Sequence, residues 1–356
     1  MLDGVILVGA LRQRVEKAVG WHGAPPTGRS RGPVELTPGA GVAVLRPPLT
    51  WLGSPAARQD WVTAMAATLT AAPGRPLPPG TPGVVPAIDR HILEVASPAE
   101  QTVLCNLVRQ HSPLLIALTG RSAAGTRRLG AARDQVAARH LDAADAEFRT
   151  LLESHLRRVE GFEAFDRTDV HPSAEPDGTP TVVVQCIDAA ATLAAVRAHA
   201  LLLAAFALRA RRLVQEGVAL EPMAQRVVDE NRARAVASGL RARPADDGGS
   251  TLRARTRRLL ADVLAVELDN LDTQPEELFP ILAPVERLAD DDSVLTGNPG
   301  AAGRALTDTT AGGPCLAAAR RTAEGRTWLL VERWAGLIAA RGGGAKPSRG
   351  TGGARR

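Results

Sequence analysis

The residues of this chain best suited to chemistry are arginines, a few histidines and one glycine-spaced run, so anion binding is the first chemistry to weigh. Gly120–Arg127 reads G-R-S-A-A-G-T-R and follows the apolar stretch Leu114–Leu118. A phosphate-cradling loop of the form G-x-x-x-x-G-K-[ST] needs a lysine for the β/γ oxygens and a hydroxyl for Mg²⁺. Here those two positions are Thr126 and Arg127, and a forked guanidinium does not replace a lysine one for one. Val182–Asp188 is the only apolar strand downstream that ends in an aspartate, and it offers a lone Asp188. The glycine spacing is read as a coincidence after an apolar run. Arg121, Arg127, Arg128 and Arg133 remain, with Asp134 beside them. They form either a solvated helix start or an anion clamp, where a helix dipole and free N–H groups favour phosphate or carboxylate.

The other reactive types are sparse. His91 lies in the strand-like run IDRHILEV, alternating with Leu93, and His199 lies in an apolar helix. Each is read first as a packed structural histidine. No H-x-x-x-H, H-E-x-x-H or His/Cys cluster occurs, which argues against a transition-metal site built from protein ligands alone. No G-x-S-x-G elbow is present, which argues against an α/β-hydrolase. Cys105, Cys186 and Cys315 follow no C-x-x-C spacing. That argues against a zinc knuckle or a disulfide framework and fits a reducing cytoplasm, the expected location.

The elements that must position these residues follow from composition and pattern. Hydrophobic residues make up 45% of the 356-residue chain but aromatics only 3%, with no Tyr. The core must therefore be built from Ala, Leu and Val, which favours helices. Before residue 97, short apolar pieces such as Val5–Leu7 and Val42–Leu45 alternate with Pro/Gly-rich joints. A helix is expected at Arg58–Ala71, with Trp61, Met65 and Leu69 on one face, and a strand at Ile88–Val95. Ser97, Pro98 and Glu100 form a capping box that opens a helix running to about Gln110. Further helices are expected at Gly130–His155, Ala189–Glu216 (closed by Gly217), Met223–Leu240 and Leu252–Leu268, then a helical hairpin ending near Ala340. Asp169–Gly178 reads as a polar turn region, and Thr179–Asp188, rich in β-branched residues, as the best strand. Strands followed by long helices give an α+β fold class.

The net charge is +5, and part of it sits in the tail 341–356, RGGGAKPSRGTGGARR, read as disordered. The other arginines are interleaved with acids and lack an aromatic platform, so nucleic-acid binding is not expected. The longest apolar run, Ala200–Leu208, is short of the roughly 20 residues a bilayer needs, so no membrane partner is expected.

Three stretches in order, NLVRQHSPLLIALTGRSA (106–123), GTPTVVVQCIDAAATLAAVRAHALLLAAFALRARRLV (178–214) and VVDENRARAVASGLRA (227–242), resemble the bacterial glutamate–cysteine ligase family of actinobacterial type. These are carboxylate–amine ligases, and the resemblance covers roughly residues 88 to 340. It implies one domain over residues 1–340, with 1–87 divergent, and a glutamine-synthetase-like curved antiparallel sheet carrying the site with helices packed behind. The implied chemistry uses ATP and Mg²⁺ to phosphorylate the γ-carboxylate of glutamate before an amine attacks. Acidic strand residues hold the metal and arginines neutralise the phosphoryl group. By position, His91 matches the family's H-[IV]-x-V strand, Arg121, Arg128 and Arg133 its arginine-rich segment, and Arg232 and Arg234 its N-R-x-R segment.

The departures are specific. The family's T-V-E-V-R strand stands here as Thr181-Val182-Val183-Val184-Gln185, so its glutamate and arginine positions are Val183 and Gln185. The family's metal-binding E-x-E strand has no counterpart, since residues 1–60 offer only Glu16 and Glu35. That strand is expected to lie upstream of Met1 or to have been lost. Weak or absent activity is therefore expected, with a non-catalytic binder of a ligand, of an intact paralogue or of itself as the alternative.

Overall fold

The structure, a computed structural model, describes residues 11–18, 20–22, 34–37, 42–45, 51–71, 75–77, 88–119, 136–160, 168–190, 192–246 and 249–285. Its strands are β1 (Arg12–Ala18), β2 (Gly20–His22), β3 (Val34–Thr37), β4 (Val42–Leu45), β5 (Arg75–Leu77), β6 (Ile88–Glu94), β7 (Val170–Ala174) and β8 (Pro180–Asp188). Six of them form one antiparallel sheet in the order β3-β4-β1-β6-β8-β7, and β2 pairs with β5 separately. The architecture is thus mixed, with helices set against an antiparallel sheet, as the α+β reading expects.

The helices are α1 (Pro55–Ala71), α2 (Pro98–Thr119), α3 (Ala143–Glu160), α4 (Leu193–Gln215), α5 (Gln225–Ser238), α6 (Leu252–Arg258), α7 (Ala265–Asn270) and α8 (Phe279–Val285). α2 packs on α4, β8 and β7, and α4 reaches β1 and β6. These two helices supply the centre of the core, with Leu104, Val108, Leu201, Leu203 and Phe206 fully buried. α4 is long and apolar enough to cross a membrane by length and composition, further than the short run Ala200–Leu208 implies, but most of it is buried in the protein. Its ends follow local rules. The Thr192 side chain accepts from Ala195 N, and Gly217 takes φ 64 just past the C-terminus.

Several expectations are corrected. α2 does not stop near Gln110 but continues through Pro113 to Thr119. A mid-helix proline loses one hydrogen bond, and burial of every residue from Ser112 to Thr119 against the core outweighs that loss. The cap is as read on one side, with Glu100 N donating to Ser97 Oγ at 3.2 Å. The Glu100 carboxylate reaches Ala96 N rather than the cap residue's own N–H. Of the helix expected at 130–155, residues 130–135 lie outside the described residues and 136–142 are not helical; α3 opens at Ala143, where Asp142 Oδ1 accepts from Asp145 N at 2.8 Å. Upstream, Val136 makes a parallel bridge to Thr168 instead. The stretch 169–178 is not all turn: β7 pairs with β8, and only the tip around Pro176 turns. The helix expected at 252–268 is broken by a π-helical turn at Leu259–Val263. Val5–Leu7, the hairpin near Ala340 and the tail 341–356 lie outside the described residues.

Candidate functional site

Strand alternation divides the sheet into two chemically distinct faces. The register pairs Gln13 with Leu93 and Val15 with His91, then Leu93 with Val182 and His91 with Val184. Val15, Leu93, Val182 and Val184 all belong to the core that α2 and α4 complete. Residues directly opposite one another across an antiparallel pair share a face. The intervening residues therefore line the other face in rows. One row is Arg12, Glu94, Thr181 and Ser173, and the next is Arg14, Ile92, Val183 and His171. Ile92 and Val183 are buried yet stand apart from the helical core.

Charged groups sit over that second face. Arg14 donates through Nη1 to Glu175 Oε2 at 3.3 Å, and its Nη2 lies 3.2 Å from Oε1. Arg12 Nη1 lies 3.6 Å from Glu94 Oε2. Partial burial pushes the Glu94 carboxyl up, Arg12 pulls it down, and the nearby Glu175 charge pushes it up again. Glu175 is delivered by a tight hairpin. Its N–H donates to Thr179 O and its carbonyl accepts from Gly178 N, both at 2.9 Å. Gly178 has φ 87, a conformation that suits glycine.

The residues singled out from sequence fall elsewhere. His91 is fully buried on the helix-backed face, its Nδ1 3.4 Å from Gln13 Nε2. Arg232, on α5, clamps the buried Asp169 with Nε to Oδ2 and Nη2 to Oδ1, each at 2.9 Å. Burial pushes the Asp169 carboxyl up against the opposing pull of that guanidinium. Arg234 pairs with Glu230 one turn away and donates to Arg243 O at 2.8 Å. Arg121, Arg128 and Arg133 lie outside the described residues. The three described candidates are not gathered into one site. Arg12, Arg14, His171 and Glu175 went unnoticed in sequence. The alternating Arg12-x-Arg14 was the available signal, hidden by the irregular look of residues 1–96.

The cofactors that the resemblance implies, ATP and Mg²⁺, call for grouped carboxylates and for cationic groups. Among the described residues no group of three or more His, Cys, Asp or Glu is placed to hold a metal ion. Glu94 and Glu175 each lie against an arginine. The described acids therefore do not fit Mg²⁺, whereas the guanidiniums fit an anionic group.

No family model matches the sequence, and no curated protein matches it. Six solved chains do match in structure. One is a bifunctional glutathione synthetase from Pasteurella multocida, at TM-score 0.51 and 11% identity, aligned over 96% of this chain. The chain spans about half, 54%, of that protein's length. At this identity the likeness shows the fold alone, a mixed arrangement of helices and antiparallel sheet.

Proposed function

We propose that this chain is a carboxylate–amine-ligase-type protein of the glutamate–cysteine ligase kind whose ATP-dependent ligation is weak or absent and whose sheet face retains anion binding. The finer fold assignment belongs to the same proposal: a glutamine-synthetase-like sheet with the site on the face away from the helices. The observation that carries it is Val183. This position stands where the resemblance asks for a glutamate, and it is fully buried between Ile92 and His171, themselves buried, in the row of the sheet that also holds Arg14. An apolar centre offers no carboxylate for a metal, and single electrostatic groups in such sites are worth roughly 10²–10³ in rate. The structural neighbour, a bifunctional glutathione synthetase, supports the reaction class, since glutathione is itself a γ-glutamyl thiol. The free, buried Cys105 and Cys186 support a reducing location.

Purified protein given ATP, Mg²⁺, glutamate and a panel of amines is expected to release ADP no faster than without glutamate. Robust glutamate-dependent ADP release would overturn the weak-ligase reading.

A further inference from the structure

Helix α3 (Ala143–Glu160) has two unlike sides. Ala146 is fully buried, and Thr150 Oγ1, one turn on, donates to Gln101 Oε1 of α2 at 3.0 Å. That side packs on α2 and on β7, the last strand of the sheet. Ala144, Phe148, Leu151 and His155 are exposed. Spacings of three and four residues put them in one strip along the helix, and at about 100° per residue the strip lies opposite Ala146 and Thr150. Phe148 and Leu151 are 66% and 63% exposed. Val136, Val218 and Val266, the other exposed large apolar side chains among the described residues, occur one to a segment. A single exposed apolar residue is ordinary, whereas a phenylalanine and a leucine side by side form a contiguous patch of the kind that marks an interaction site.

The charges along the strip indicate which partner fits. Asp145 and Glu147, both exposed, lie toward its N-terminal end, and His155 lies toward the other. A second copy laid antiparallel across a two-fold axis beside Leu151 brings that leucine onto its own counterpart. Glu147 and His155 stand equally far to either side of Leu151 in the sequence, so each Glu147 comes level with the partner's His155. Phe148 comes within one residue's rise, about 1.5 Å along the helix, of the same imidazole. An imidazole N–H can donate to the carboxylate, and antiparallel helix dipoles oppose one another favourably. A parallel pairing would instead set acid on acid at Asp145 and Glu147. Self-complementarity of one patch is what a two-fold contact requires.

We propose that the outer strip of α3 is a self-association surface, pairing antiparallel with the same strip of a second copy about a two-fold axis at Leu151. Two short helix faces bury less than a standard interface, so the dimer is weak and depends on concentration. The proposal stands apart from the ligase reading, on which ADP release alone bears.

The test is sedimentation equilibrium of the full chain from about 1 to about 100 μM, the range of a weak interface. Wild type is expected to pass from monomer to dimer. Phe148→Glu and Leu151→Glu are each expected to weaken dimerisation by about tenfold or more. Their circular dichroism and melting temperature at low concentration are expected to match wild type, because both positions face water in the monomer. If an acidic variant does not fold, Leu151→Ala is expected to weaken the dimer by less, in the same direction. His155→Glu sets a carboxylate level with the partner's Glu147 and is expected to weaken the dimer. Glu147→Lys/His155→Glu is expected to recover most of that loss.

A monomer at every concentration overturns the proposal. So does a dimer that Phe148→Glu and Leu151→Glu leave intact, since the association then lies elsewhere. Loss of monomer stability in both Leu151 variants would show that the strip is covered within the chain, which also overturns it. Failure of the double charge variant to recover overturns the antiparallel register.

Discussion

On the helix-backed face of the sheet, Val15, Leu93, Val182 and Val184 are fully buried, whereas on the opposite face Arg12, Arg14 and Glu94 stay partly in water. The two environments use the same ion-pair chemistry in different ways. Arg58 lies behind the sheet, donating to Glu277, Leu52 O, Leu271 O and Asp272 O. Its donors are directed at fixed acceptors of two distant segments, so it ties α1 to the region before α8. Arg14 reaches the Glu175 carboxylate on a hairpin, with part of both groups hydrated. Burial makes the first pair a constraint on the fold and leaves the second able to exchange partners.

Breaking the packed side should have the largest effect. Phe206→Ala empties a fully buried position on α4 and is expected to cost about 3–5 kcal/mol in urea unfolding. Glu277→Ala leaves the buried guanidiniums of Arg58 and Arg197 without their shared carboxylate and is expected to cost about 3–5 kcal/mol in the same measurement. A loss within about 1 kcal/mol, the range of an exposed pair, would show that the pair is not the constraint described.

The two sides should also respond to pH with opposite sign. Burial first, and Arg255 second, lower His111 on α2 from 6.5 to about 4. The unfolded chain then binds more protons in that window, so stability is lost as pH falls from 6.5 to 4, and His111→Gln should flatten the loss. Glu94 is raised above 4.5, chiefly by burial. The folded state holds its proton longer, so this group's contribution falls as pH rises through the raised value, and Glu94→Gln should remove that slope. Thermal melts across pH 3–8, an arbitrary span of about five units wide enough to cover both windows, distinguish the two signs. The smallest change is expected for Glu175→Gln, within about 0.2–1 kcal/mol of wild type. A loss comparable to Glu277→Ala would make the sheet-face pair structural after all.

How much of this was readable beforehand differs by element. Strand β8 and helices α1 and α4 were legible because β-branched density, the spacing of Trp61 and Met65, and the apolar run closed by Gly217 are local signals, although α4 starts at Leu193 and not at Ala189. β1 and β7 were not. Neither RQRVEKA nor VHPSA has a strong strand pattern, and each is held by the neighbours it pairs with, β6 and β8. Missing those two strands hid the charged face, because Arg14 and Glu175 are 161 residues apart in the chain. Arg232 was legible as a notable arginine, but its partner Asp169, 63 residues earlier, was not.

The sequence by itself determined an α+β chain with an Ala/Leu/Val core, the positions of its strongest helices and strand, and the apolar and neutral residue types at Val183 and Gln185. Those are properties of composition, short-range period and residue identity. Only the tertiary structure decided which arginines meet which carboxylates. Strand order and register set those distances, and a side chain's role as constraint or as exchangeable contact depends on how much water remains around it. For Arg14 and Glu175, some does.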